Sequence, residues 1–570
     1  MQTIRTSLRC ALAGLAAFAA ATPAFALAQQ TRDTATAACA AAQGKLDREA
    51  SPGSCYLGKT QSIGTIKWTV AGKLCGTYQG QCVDGRMHGL GKYVWANGDV
   101  YDGAWQNDGK TGRGLFRWAN GNRYEGSFKN DRFDGIGTFV WANGNRYEGQ
   151  WKNDLRHGKG IFVWKDGTKY DGEWTDGKRT GKGILVTATG DRYDGLFVDG
   201  KFDGKGVMIW KTGARYEGHW KHDKRSGKGI YVAANGDRYD GDFADDKFFG
   251  RGVFVWKTGA KYDGEWRDDK RTGKGLFTFA NGDRYDGEWR DDKQTGKGVF
   301  VWANGDRLEG RFRDNEIVGR GLFAWNDGRR YDGEWNQGKR TGKGSFTWPN
   351  GNRFDGDFKA GLFNGKGTLS YANGDKYVGD WLNGKRTGKG TFTWASGARY
   401  EGDWKDDRKD GKGVLVTANG DRYEGDFRDD KFNGKGSYVW ANKNRYDGDW
   451  KDDQRTGRGV FVTAAGDKYE GSFVDGKFQG TGTLTAKDGT RYEGAWLNDT
   501  RHGKGVLKAA NGDVYDGEFK ANRFDGNGVY KWSNGAKFDG VFRNGAQWAG
   551  TLTHMDNSTV KYKDGKPVEE

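Results

Sequence analysis

Catalytic or metal chemistry in this chain would rest on few residue types. Six histidines (His88, His157, His219, His222, His502 and His554) are scattered along it, and only His219 and His222 lie three positions apart. A metal pair needs both rings on one side, yet on a strand residues three apart point to opposite faces. Carboxylates abound, but the same Asp and Glu positions recur in unit after unit, whereas a catalytic acid/base pair is singular. Asp283-Arg284-Tyr285-Asp286-Gly287-Glu288 offers oxygens for calcium, but its spacing fits neither an EF-hand loop nor the glycine–aspartate nonapeptide repeat. Gly-Lys-Gly segments such as Gly273 to Gly275 lack the following helix that a phosphate cradle needs. The expectation is a protein without catalytic residues, metal ligands or cofactor.

What recurs instead is aromatic. The 570 residues include 98 Gly but only 4 Pro, with 25 Trp, 25 Tyr and 32 Phe. Glycine at about 17%, against an average near 7%, excludes an ordinary single-core domain. The 14% aromatic content argues against disorder, and the absence of a three-residue glycine period excludes collagen. Tyr/Phe-x-Gly recurs every 23 residues, from Tyr78 through Tyr101, Tyr124 and Tyr147 to Tyr515 and Phe538, with only Leu308 breaking the aromatic rule. That spacing makes 21 repeats.

Each repeat reads as a hairpin, numbered here from 1 at its Tyr. Positions 1–6 alternate Tyr, Gly and Trp/Phe with charged residues, the strand period. Positions 7–12 read as a polar loop, positions 13–18 as a second strand and positions 19–21 as a turn. Position 20 holds Thr189, Thr212 and Thr258, which resist positive φ, and Pro349 stands at position 19. These residues favour a three-residue type I turn closed by a left-handed Gly at 21, with Lys443 as an exception. The resulting register places position 16 opposite the next repeat's position 1. Position 13 then lies opposite its position 4, pairing Lys274 with Glu288, Lys228 with Asp242 and Lys435 with Asp449, while Lys182 faces Leu196.

The rings gather on one face. Tyr262, Trp266, Phe277, Tyr285, Trp289, Phe300, Trp302, Tyr331, Trp335, Phe346 and Trp348 are the candidate binding residues there. Where position 5 is Trp, position 10 is usually Arg or Lys; where it is Phe, position 10 is nearly always Phe. Trp266/Arg271 and Phe243/Phe248 illustrate the rule, which implies contact by cation–π or ring stacking. From Tyr170 to Val514 the types run Trp-Phe-Trp-Phe-Trp three times, as in a duplicated five-repeat block.

A clean copy, Tyr262 to Arg284 (YDGEWRDDKRTGKGLFTFANGDR), resembles the MORN repeat (membrane occupation and recognition nexus). The resemblance implies a non-enzymatic scaffold or dimerisation module, and the family name suggests phospholipid headgroups. The expected fold is all-β: an elongated, twisted antiparallel meander of tandem hairpins, roughly 200 Å long at about 4.8 Å per strand. A small disulfide-stapled cap would precede it.

The organisation expected is a secretory signal peptide (1–28), a Cys-containing cap (29–77), the 21 repeats (78–560) and a C-terminal tail (561–570). Arg5 and Arg9 precede the apolar run and Ala-x-Ala sites follow it, which predicts a periplasmic or secreted product. Cys39, Cys55, Cys75 and Cys82 then read as two disulfides with three possible connectivities. The net charge of +16 is spread among interleaved acids, and together with export it argues against nucleic acid. Three partner classes follow: proteins or a second copy on the aromatic face, phospholipid headgroups, and an envelope polysaccharide stacking on Trp and Tyr.

Overall fold

The computed structural model describes residues 46–50, 62–70 and 72–568. The expected signal peptide, Cys39 and Cys55 lie outside them. Among the described residues every regular element is a strand, 46 in all. They fall into two units, Met1–Gln294 and Thr295–Glu570. Within each, strands adjacent in sequence pair antiparallel, so both units are all-β meanders.

The hairpin of Tyr262 shows how the sequence produces this. Its strands are Lys261–Arg267 and Lys270–Thr278. The six-residue loop expected at positions 7–12 is not there: the turn is two residues, Asp268 and Asp269, at φ +50° and +65°. Two consecutive left-handed residues give a tight hairpin whose twist suits the strands, and Asp and Asn tolerate that conformation better than most residues. The second strand therefore begins at position 9. Gly264 faces Gly275 and Glu265 faces Thr272, so Gly273 and Lys274 form a bulge. Gly273 takes φ +56°, which is why glycine recurs at position 12. His222, expected on a strand, lies in the same kind of turn at φ +49°.

The turn between repeats follows the expectation. Phe279 donates its N–H to the Asp283 carbonyl at 2.8 Å, and Gly282 closes the loop at φ +91°. Lys443 adopts φ +70° in the glycine's place. The register follows as well: Phe277 faces Tyr285, Lys274 faces Glu288, Lys228 faces Asp242, Lys435 faces Asp449 and Lys182 faces Leu196.

The ends differ from the repeats in detail. β1 (Leu46–Ala50) pairs with β2 (Ser62–Val70), and β2 pairs with β3 (Lys73–Val83), which already contains Tyr78 of the first repeat. Gly64 faces Gly80 and Ile66 faces Tyr78, the same rungs as later in the chain, so this part of the cap continues the meander. Cys75 and Cys82 stand on one strand roughly 23 Å apart, too far to bond each other, so the described residues hold no bonded cysteine pair and the expected double staple is not shown by them. At the other end, Gly540 faces Gly550, one residue earlier than the 23-residue spacing predicts. The stretch assigned to a tail forms a hairpin, Thr559–Lys563 with Lys566–Val568.

Candidate interaction surfaces

Each repeat supplies Tyr, Gly and Trp/Phe from its first strand to one face of its unit. Tyr262, Tyr285 and Tyr331 are fully buried, and Trp266, Phe277, Trp289, Phe300, Trp335 and Phe346 are buried with them. Trp302 and Trp348, at position 18, are half-buried. Nine of the eleven candidate binding residues are therefore core, packed on one another, and only the two outer tryptophans keep a surface to offer.

Glycine makes this packing possible. Gly264 faces Gly275 and Gly275 faces Gly287, so positions 3 and 14 form a row across the strands. The Tyr262 ring lies over this row, where a Cβ on Gly264 or Gly275 would overlap its hydroxyl. That hydroxyl donates to the Glu265 carbonyl at 3.2 Å, which satisfies it without water. Trp266 Nε1 reaches the preceding repeat's Gly252 carbonyl at 3.0 Å. Burial pushes the tyrosines well above their usual pKa, Tyr331 to about 12.

Positions 5 and 10 do face each other, as Trp266 and Arg271 show, but the stacking partner differs from the expectation. Arg271 lies 4.4 Å from the ring centre of the next repeat's Trp289, and Arg386 lies 4.3 Å from Trp404. The guanidinium also donates to the next turn, with Arg271 Nη2 to the Asp292 carbonyl at 3.0 Å. Phe248 instead stacks on its own Tyr239 at 3.9 Å, meeting Phe243 edge-on. Phe248 also meets the next repeat's Trp266 edge-on at 5.5 Å, so position 10 bridges repeats whether it holds a cation or a ring.

The opposite face is charged. In the second unit it holds a trough of about 1760 Å³ running from Arg320 to Gly448. Its floor is the backbone of glycines at positions 3 and 14, whose missing Cβ atoms would point to the other side. One wall carries Lys343, Lys366, Lys389, Lys412 and Lys435 from position 13. Each faces an acid of the next repeat, as Lys389 does Asp403 at 2.7 Å. The other wall carries Asp332, Asp355, Glu401, Glu424 and Asp447 from position 2, with Val378 interrupting the row. Beside the floor stand Ser345, Thr368, Thr391, Val414 and Ser437 from position 15.

These trough residues were not singled out from the sequence, although a signal exists. Position 15 is aliphatic from Ile161 through Ile184, Val207, Ile230, Val253, Leu276 and Val299 to Leu322, then turns to Ser or Thr in four of the next five repeats. The histidines build no shared site: His219 Nδ1 is 3.2 Å from the Lys228 carbonyl and His222 Nε2 is 3.9 Å from Asp203.

No curated protein matches the chain. Among solved structures, the SAS-4 (dCPAP) TCP domain of Drosophila melanogaster, in complex with a proline-rich motif of Ana2 (dSTIL), is 14% identical with a TM-score of 0.19, covering 31% of this chain and 90% of that one. The TCP10 domain of Danio rerio CPAP, with a STIL peptide, is 11% identical with a TM-score of 0.19, covering 43% and 92%. Virginiamycin B lyase from Staphylococcus aureus is 13% identical with a TM-score of 0.10, covering 50% and 91%. Scores this low carry no argument about this chain. The MORN repeat profile is different: it matches 20 consecutive copies from residue 78 to 537, resuming at Glu309 just after the aberrant Leu308. With matched repeats spanning well over half of its length, the chain belongs to the MORN-repeat family.

Proposed function

We propose that this protein is a non-enzymatic repeat scaffold that mediates protein–protein interaction or self-association in the cell envelope. The observation that carries the reading is the division of labour between faces: the rings are consumed by contacts between repeats, while the other face presents the same charged pattern many times over. Repeat arrays of this kind offer extended surfaces to partners. Export through a cleaved leader at 1–28, and a cap stapled through Cys39, Cys55, Cys75 and Cys82, complete the proposal; an oxidising compartment suits both.

The half-buried Trp302 and Trp348 favour a second reading, in which sugar rings of an envelope polysaccharide or lipid headgroups meet the outer tryptophan row. Immobilised full-length chain, challenged with envelope extract, anionic vesicles and a glycan array, separates the two. Specific recovery of proteins supports the scaffold. Retention of vesicles or glycans alone would refute it.

A further inference from the structure

We propose that the trough between Arg320 and Gly448 is a docking site for an extended polypeptide in polyproline-II conformation that bears acidic and basic residues each at every third position. The inference rests on the scaffold reading and names the chemistry of the partner segment.

Three observations point to it. First, the trough is one chain wide. Positions 2 and 4 of a strand lie roughly 7 Å apart, at about 3.4 Å per residue, with only glycine backbone between them. Second, its walls are sided. The lysines project, as the Lys412 side chain is 86% exposed, whereas its partner Asp426 at 3.7 Å is tucked in at 37%. Facing them, Glu401 and Glu424 project with Arg399 and Arg422 beside them. An occupant therefore meets projecting ammonium groups along one rim and, along the other, carboxylates each already paired with an arginine on their outer side. A neutral glycan has no use for that asymmetry; a chain with two oppositely charged columns does.

Third, the periods agree. Successive repeats present equivalent residues about every 9.6 Å, two strands at about 4.8 Å each. A polyproline-II helix repeats every three residues, about 9.3 Å at about 3.1 Å per residue. One column of its side chains can follow the lysine row, a second the carboxylate row, and the third points to solvent. The swap from aliphatic residues to Ser345, Thr368, Thr391 and Ser437 is concentrated in these repeats, with Thr138 and Thr483 as single instances elsewhere, and it lowers the wall beside the floor. Val378 marks one turn where the partner carries an apolar residue instead of a base.

The test uses the full chain and a labelled peptide of about five Glu-Pro-Lys triplets, one per repeat. Saturable, salt-weakened binding is expected, with a peptide of the same composition but no three-residue charge order binding roughly tenfold more weakly. Reversing Lys366→Glu, Lys389→Glu and Lys412→Glu together should cost a similar factor, with unchanged circular dichroism. The same reversal at Lys182, Lys205 and Lys228, in the other unit, should leave affinity unaltered. Val378→Asp should strengthen binding of the regular peptide. Equal affinity for the disordered-charge peptide, indifference to the lysine reversals, or preferential retention of a neutral oligosaccharide would overturn the proposal. If the reversed chain still recovers the same envelope proteins as the parent, the trough assignment fails while the scaffold reading stands. Peptide binding with no protein recovered supports the trough and removes the scaffold reading.

Discussion

Tyrosine and glycine act in this protein as one unit of packing. The Tyr262 ring occupies the volume left by the missing side chains of Gly264 and Gly275, and its hydroxyl is held by the Glu265 carbonyl. Gly275 has no left-handed backbone to justify its presence, so its role is steric. Gly275→Ala should cost about 1–3 kcal/mol by overpacking, read as a loss of hydrogen-exchange protection in the Tyr262 hairpin. In a Tyr262→Ala background most of that cost should vanish, because the atoms it collides with are gone. Additive effects of the two substitutions would show that the glycine answers to something other than the ring.

At the scale of the hairpin, two turns divide the work, and both can be tested by substitution. Asp269 lies at φ +65° and its Oδ1 accepts the N–H of Phe248, one repeat earlier, at 2.8 Å. Asp269→Gly keeps the backbone and loses the acceptor, which should cost about 0.5–1.5 kcal/mol. Asp269→Ala loses both and should cost about 1 kcal/mol more. Equal costs in urea unfolding would remove the backbone part of the account. Conversely, Lys443 holds φ +70° where glycine stands in nearly every other repeat, and Lys443→Gly should stabilise by about 1 kcal/mol, visible as a raised melting temperature. The second of these turns was legible in the sequence, because Thr and Pro at its first two positions exclude the alternatives, and from it the register and the ring face followed. The first turn was not. Asp-Asp hides the two-residue hairpin that Asp176-Gly177, Asp199-Gly200, Asn383-Gly384 and Asp475-Gly476 signal at the same positions of other repeats, and the polar Lys-Arg-Thr-Gly that follows resembles loop although Arg271 lies over aromatic rings. The trough stayed hidden for a related reason: it consists of backbone floor and paired charges, and only the change of residue type at position 15 marks it.

Across the whole molecule the repeated tyrosine turns a local contact into a pH dependence. Tyr101, Tyr285 and Tyr400 each donate a hydroxyl proton to a carbonyl three residues on, at 3.0, 3.2 and 2.9 Å. Burial is the main cause raising each of their pKa values, and neighbouring carboxylates add to it. In the unfolded chain the same phenols titrate near pH 10. Below that pH both states are protonated and the stabilisation is fully present. Above it the unfolded chain releases protons first and binds fewer than the folded one, so stability falls as pH rises. The loss runs from about pH 10 through about 12 and beyond, and it sums over every repeat that carries the contact. Stability should therefore be insensitive to tyrosine up to about pH 10 and then collapse steeply, with tyrosinate absorbance appearing together with loss of the β-sheet dichroism. Reversible ionisation near pH 10 in an intact sheet would mean that the rings face water, and the packing of the aromatic face described above would have to be abandoned.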